Sequence, residues 1–221
     1  MCVIAVHVFA QLEQFGGRDI SWSPFFWFVK QYGGAFFVVL SGICVTLSDS
    51  VRATIKRGAI VFCCGLILTA LTEWLYLSDR EDAHVLIQWG VLHLLGFSMM
   101  VYPLCRKLPA WVRLASGAAI TGVGYYLLAN YRVLCKYLFP LGLKPLHFIA
   151  MDYFPIMPHF GWFLIGSALG TWLYASRKTR LPGVNEDGLL IRSLCFLGRH
   201  SLAIYMIHQP LLYVLIKQGI L

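Results

Sequence analysis

Long apolar runs alternate along the chain with short polar stretches that hold most of its charge. The runs fall at about 23–47, 58–77, 85–104, 110–129, 160–175 and 197–216. Most approach the roughly 20 predominantly apolar residues that a membrane-spanning helix needs. A further apolar piece, Met1 to Leu12, meets Glu13 after about a dozen residues. It is too short to span and lacks the positive flank and small-residue cleavage site of a signal peptide. The pattern predicts an all-α fold: a polytopic transmembrane bundle of about seven helices. The first is truncated, as if the chain began inside it, and residues 1–221 form a single transmembrane domain.

Local signals refine these elements. Small residues let helix backbones approach closely in lipid. Gly33-Gly34, Ser41-Gly42, the trio Gly117, Gly122 and Gly124, and Gly161, Gly166 and Gly170 therefore mark packing faces. The segment Asp152 to Gly170 reads DYFPIMPHFGWFLIGSALG. In it a proline-punctuated polar turn runs directly into an apolar helix. The fourth predicted helix opens with His84, Gln88, Trp89 and His93; a spacing of four puts His84 with Gln88, and Trp89 with His93, on shared faces. His93 is the deeper histidine, favoured as a buried, hydrogen-bonded imidazole over a substrate-binding group. Glu73 near the outer end of the third helix reads as an interfacial group. Tyr131 to Met151 is the longest connection, and such loops are often functional or partly helical. The last helix carries Tyr205, His208 and Gln209 at i, i+3 and i+4, with Ser201 one turn below, and Pro210 is expected to bend or loosen it.

With 59% hydrophobic and 13% charged residues and a mean hydropathy of +0.71, the chain is too apolar for an ordinary soluble domain. The net charge of +8 does not signal nucleic acid, because the basic residues sit in inter-helix loops. Arg52, Lys56 and Arg57, then Arg106, Lys107 and Arg113, then Arg177, Lys178, Arg180 and Arg192 fall in alternate loops. These loops face the cytoplasm by the positive-inside rule. Glu13, Asp19, Asp79, Glu81, Asp82 and Asp152 fall on the outer side. The seven cysteines show no CxxC pair and no metal-ligand spacing, and read as small core residues. No metal is expected.

On this topology His7, Asp152, His159, Tyr205, His208 and Gln209 belong to the outer half and come from at least three segments. Polar groups inside a membrane protein are costly unless they serve each other or a substrate. A histidine near its ordinary pKa of about 6.5 accepts and returns a proton near neutrality. An aspartate bonded to it would fix its tautomer. The set suits activation of an amine or hydroxyl, with His208, Asp152 and Tyr205 expected around one outward-opening cavity. GxSxG, P-loop and HExxH motifs are absent. The alternative on these residues is a non-enzymatic carrier or channel with an outer histidine-lined vestibule.

LSGICVTLS at Leu40 to Ser48, WGVLHLLGFSMMVYPL at Trp89 to Leu104, the Asp152 to Gly170 segment and LGRHSLAIYMIHQP at Leu197 to Pro210 appear in that order. In these four blocks the chain resembles bacterial membrane proteins of the heparan-alpha-glucosaminide N-acetyltransferase catalytic-domain family. The resemblance implies a membrane-embedded acetyltransferase of the bacterial inner membrane, a multi-pass protein. It implies acetyl-CoA as acyl donor on the cytoplasmic side and a sugar or glycan acceptor outside. It implies a mechanistic histidine, with His7 the best match by position. His208 and Asp152 complete the catalytic candidates; Tyr205, Gln209, His159 and His93 are substrate-binding candidates; Arg106, Lys107 and Arg199 are candidates for the donor's phosphates. The lipid bilayer is the expected partner, and a homo-oligomer is compatible. Family members usually carry an Asp and an Arg-Gly pair early in the first helix, an element that this sequence does not show.

Overall fold

The computed structural model describes residues 24–79, 86–175 and 188–217. Chain order gives α1 (Pro24–Val45), α2 (Val51–Asp79), α3 (Val91–Cys105), α4 (Ala110–Asn130), β1 (Arg132–Val133), a 3-10 turn (Lys136–Leu141), β2 (Lys144–Pro145), α5 (Ile156–Leu173), α6 (Leu189–Arg199) and α7 (Ser201–Lys217). The architecture is that of a helical membrane protein. Trp27–Val45, Val51–Ser78 and Ala110–Asn130 are long and apolar enough to cross a bilayer, whereas the apolar α3 has 15 residues. Among the described residues full-length spans therefore number three; the count of seven rests on sequence alone, and Met1–Leu12 lies outside them.

Two departures from the apolar pattern have local causes. The run at 85–104 yields a helix only from Val91, because Leu86 to Gly90 are drawn into extended pairing with the chain before α5. Met151 N–H donates to Leu86 O (2.8 Å) and Phe154 N–H to Trp89 O (2.8 Å), with Trp89 and Tyr153 forming a parallel bridge. So Gln88 and Trp89 are not helical, and Trp89 does not share a face with His93 by helical spacing; His84 lies outside the described residues. The run at 197–216 is interrupted at His200, which leaves the helical region between α6 and α7 (φ −101°, ψ 9°). The helix α7 continues through Pro210.

By its internal contacts the chain divides into two compact units. Described residues 35–175 make one; residues 24–34 and 188–217 belong to the other. In the first, α2 packs on α3 and α4 on α5 as antiparallel neighbours, with glycines at the closest approaches. A Cβ on Gly96 would lie 2.6 Å from the Phe62 backbone nitrogen of α2, and one on Gly117 would lie 2.7 Å from Gly161 O of α5. Gly166 sits similarly against Val39 O of α1. These contacts replace the hydrophobic drive that lipid removes.

Pairings at the helix ends match the alternation inferred from charge. On the basic side Arg106 donates to Asp49 O (2.9 Å), joining two loops assigned to one face, and Ser50 Oγ accepts from Ala53 N–H (3.2 Å) as the N-cap of α2. On the other side Thr69 and Thr72, near the end of α2, bond the Ile87 backbone. Trp74 is exposed toward the outer end, and Trp111 and Trp172 toward the basic end. That is the distribution of an aromatic belt at each interface. Glu73 is exposed near the outer end of α2. The expectation of core cysteines is corrected: Cys44, Cys63, Cys135 and Cys195 are exposed. A small apolar thiol has no reason to avoid lipid. The long connection is partly structured: β1 pairs in parallel with β2 across the 3-10 turn.

Gly96→Leu is expected to unfold or disperse the protein in detergent, read by gel filtration and thermal melting. Gly122→Ala, where a Cβ meets nothing within 4 Å, is expected to leave stability unchanged or raise it by up to about 1 kcal/mol.

Candidate functional site

The first amides of α3 have no partner within their own helix, and two side chains supply one. Asp152 Oδ2, 61 residues away in sequence, accepts from Val91 N–H at 3.0 Å. His93 Nδ1 reaches back to accept from Gly90 N–H at 3.2 Å. A carboxylate at a helix N-terminus also meets the positive end of the dipole. The glycine at position 90 is needed for this contact, since a Cβ there would collide with the Asp152 carboxylate.

This bond decides the state of His93. Nδ1 accepts, so in the neutral imidazole the proton lies on Nε2, which faces Thr69 Oγ1 at 3.4 Å. Thr69 in turn donates to Ile87 O at 2.6 Å. The ring stacks on Trp89 (5.3 Å between centroids) and meets Phe62 edge-on (5.5 Å), and the residue is 1% exposed. Both nitrogens are committed; this is the buried, hydrogen-bonded imidazole, and the geometry offers no lone pair for a base.

His159 and His208 have the opposite tautomer. The His159 Nδ1 lies 3.0 Å from Pro155 O, and the His208 Nδ1 lies 2.8 Å from Tyr205 O. A carbonyl oxygen only accepts, so in each neutral ring Nδ1 carries the proton and Nε2 the lone pair. His159 sits in the first turn of α5 with its ring against Phe154 (4.8 Å). His208 is 8% exposed, with Tyr205 edge-on at 5.2 Å. It is the eighth residue of the 17-residue α7, half-way along that helix.

Beyond Asp152, Tyr153 donates to Phe139 O at 2.6 Å and lies under the Lys144 ammonium (5.0 Å to the ring centroid). Burial raises the phenol's pKa against the opposing effect of Arg132, and burial, then Arg132, lowers that of Lys144. On the basic side Arg106 is half-buried and Lys107 exposed; Arg199 ends α6 and is exposed. Asp152, His93 and His159 belong to one compact unit and Tyr205, His208 and Arg199 to the other. His7 lies outside the described residues, as does the side chain of Gln209.

The family model described as "Heparan-alpha-glucosaminide N-acetyltransferase, catalytic" matches residues 1–210. The chain belongs to that family. No curated protein and no solved structure matches the chain. Membership makes it a membrane protein of acetyltransferase type, and the four sequence blocks that carry the likeness all fall within the matched region.

Sequence reasoning missed one intramembrane charge in this family member. Arg113, placed by the charge pattern in a loop, is in the first turn of α4 and is 3% exposed. Its guanidinium donates to Tyr102 Oη of α3 (3.2 Å) and to Ser167 O (3.3 Å), Ser167 Oγ (3.2 Å) and Thr171 Oγ1 (2.7 Å) of α5. Its Nε and the buried Ser98 Oγ, one turn before Tyr102, have no acceptor or donor among the described residues. The signal available was the spacing of Ser167 and Thr171 at i and i+4, two hydroxyls on one face of an apolar helix. Arg113→Leu is expected to remove these bonds and destabilise the protein by on the order of 3 kcal/mol. Arg113→Lys, which keeps charge but not the planar fork, should recover only part of that. Thermal melts of both variants in one detergent check the order.

Proposed function

We propose that this family member moves an acetyl group from acetyl-CoA, bound at the cytoplasmic side, to an amino sugar or related glycan acceptor on the outer side of a bacterial cytoplasmic membrane. The supporting observation is the short contact between His208 Nδ1 and Tyr205 O (2.8 Å). With Nδ1–H held by Tyr205 O, the lone pair on Nε2 is the group a general base needs. Its place half-way along α7 suits a reaction between a donor from one face and an acceptor from the other.

In this reading the acceptor's nitrogen or oxygen attacks the thioester carbonyl while its proton passes to His208 Nε2. The new C–N or C–O bond forms, the C–S bond breaks, and the departing thiolate of coenzyme A takes up a proton. Tyr205 positions the imidazole through its backbone carbonyl and ring. His7, matched by position to the family's mechanistic histidine, is the second base candidate. Asp152 supplies negative charge beside the start of α3 and is the catalytic carboxylate candidate. Gln209 and His159 are the acceptor-binding candidates. Arg106, Lys107 and Arg199 are the basic groups for the donor's phosphates, a role to which guanidinium and ammonium groups are suited.

Transfer of label from acetyl-CoA to a mixture of amino sugars, in membranes containing the protein, tests this directly. His208→Ala is expected to lower the transfer rate by about 10²-fold or more, and His7→Ala to abolish it, both without change in gel-filtration profile. Full transfer by His208→Ala would remove it as the base. Proton-coupled sugar uptake without consumption of acetyl-CoA would favour a carrier instead.

A further inference from the structure

The helix α6 is 11 residues long, too short to hold its shape alone in water, where isolated helices below about 12–15 residues are marginal. Yet from Arg192 to Phe196 every side chain is exposed, with Leu194 at 55% and Phe196 at 61%. Ile191 and Leu197, either side of this stretch, are half-buried. Its sequence is two-sided: Ile191, Leu194 and Leu197 recur every three residues on one face, while Arg192 and Arg199, seven apart, share the opposite one. The helix stops at His200, whose N–H and Nδ1 both bond Phe196 O, and α7 begins at the next residue. The polar segment that leads into it holds Arg177, Lys178 and Arg180 against Glu186 and Asp187, so the stretch as a whole is cationic.

We propose that α6 is an interfacial helix that lies in the plane of the cytoplasmic leaflet. Its Ile191–Leu194–Leu197 face is buried among the acyl chains, and Arg192 lies against the phosphates of anionic lipid headgroups. Three observations point to lipid rather than to a protein partner. The apolar face is narrow and has the arginines opposite it, the arrangement that binds a charged bilayer surface. The basic lead-in is on the side that anionic lipids populate, where each cation near the surface adds to the attraction. And the helix joins α7 through a single residue, which holds it at the level where α7 enters the membrane. This inference does not depend on the acetyltransferase reading; it concerns residues that no step of that reaction requires, apart from Arg199, which the test leaves in place.

The test is spin labelling of the full-length protein in nanodiscs, on a cysteine-free background with one cysteine at position 194 or 192. Leu194→Cys should be several-fold more accessible to oxygen than to a nickel chelate, and Arg192→Cys the reverse. Replacing a phosphatidylcholine bilayer by one with phosphatidylglycerol should draw the label at 194 deeper, and adding Arg192→Gln should reduce that response. A label at 194 shielded from both probes would mean that protein covers the face, a second copy or another part of the chain, and would overturn the proposal. Chelate accessibility at 194 equal to that at 192 would do the same. If the cysteine-free protein does not fold, a photoreactive phenylalanine analogue at 194 in the native sequence separates the same two outcomes: lipid adducts support the proposal and protein adducts defeat it.

Discussion

The organisation of the outer half of residues 35–175 depends on how the first amides of α3 are satisfied. A helix end in or near a membrane has no ready supply of water, and each unpaired amide is expensive there. The chain meets the need from a distance: Asp152 takes the Val91 amide and His93 takes that of Gly90. From these two bonds the rest follows. The segment carrying Asp152 must lie alongside Leu86–Gly90, hence the Trp89–Tyr153 bridge. The imidazole of His93 must protonate on Nε2, hence its tie to Thr69 of α2. One carboxylate thus connects the start of α3, the lead-in to α5 and the outer end of α2.

The same constraint sorts the histidines. A ring nitrogen that accepts a backbone N–H has lost its use as a base, while one that donates to a backbone carbonyl puts the lone pair on the other nitrogen. His93 is of the first kind, and His159 and His208 are of the second. Residue type and depth alone do not make this distinction, which is why His93, His159 and His208 look alike in the sequence. At the other membrane face Arg113 solves a comparable problem with neutral acceptors only, from two neighbouring helices.

Hydropathy and charge alternation made the helical membrane architecture legible, and the four blocks made the family legible, because both are written in long stretches of residues. What stayed hidden was local competition. The apolar run before Val91 looks helical, but Gly90 and the pairing partner at 151–154 hold it in a non-helical, bridged conformation. Nothing in the run itself encodes a partner 61 residues away. Arg113 looks like a loop residue because a cation three residues into an apolar stretch usually is one; its acceptors belong to other helices. The break at His200 divides the apolar run at 197–216 between α6 and α7, and hydropathy does not mark such a break.

The division of the histidines is the most direct point at which to test the account. Nitrogen-15 spectra of histidine-labelled protein in lipid, assigned by removing one histidine at a time, report which ring nitrogen bears the proton. The account requires the Nε2–H form for His93 and the Nδ1–H form for His159 and His208. An Nδ1–H signal for His93, or an Nε2–H signal for His208, would contradict it. The first would break the link from the α3 terminus to Thr69, and the second would take the proposed base out of the chemistry.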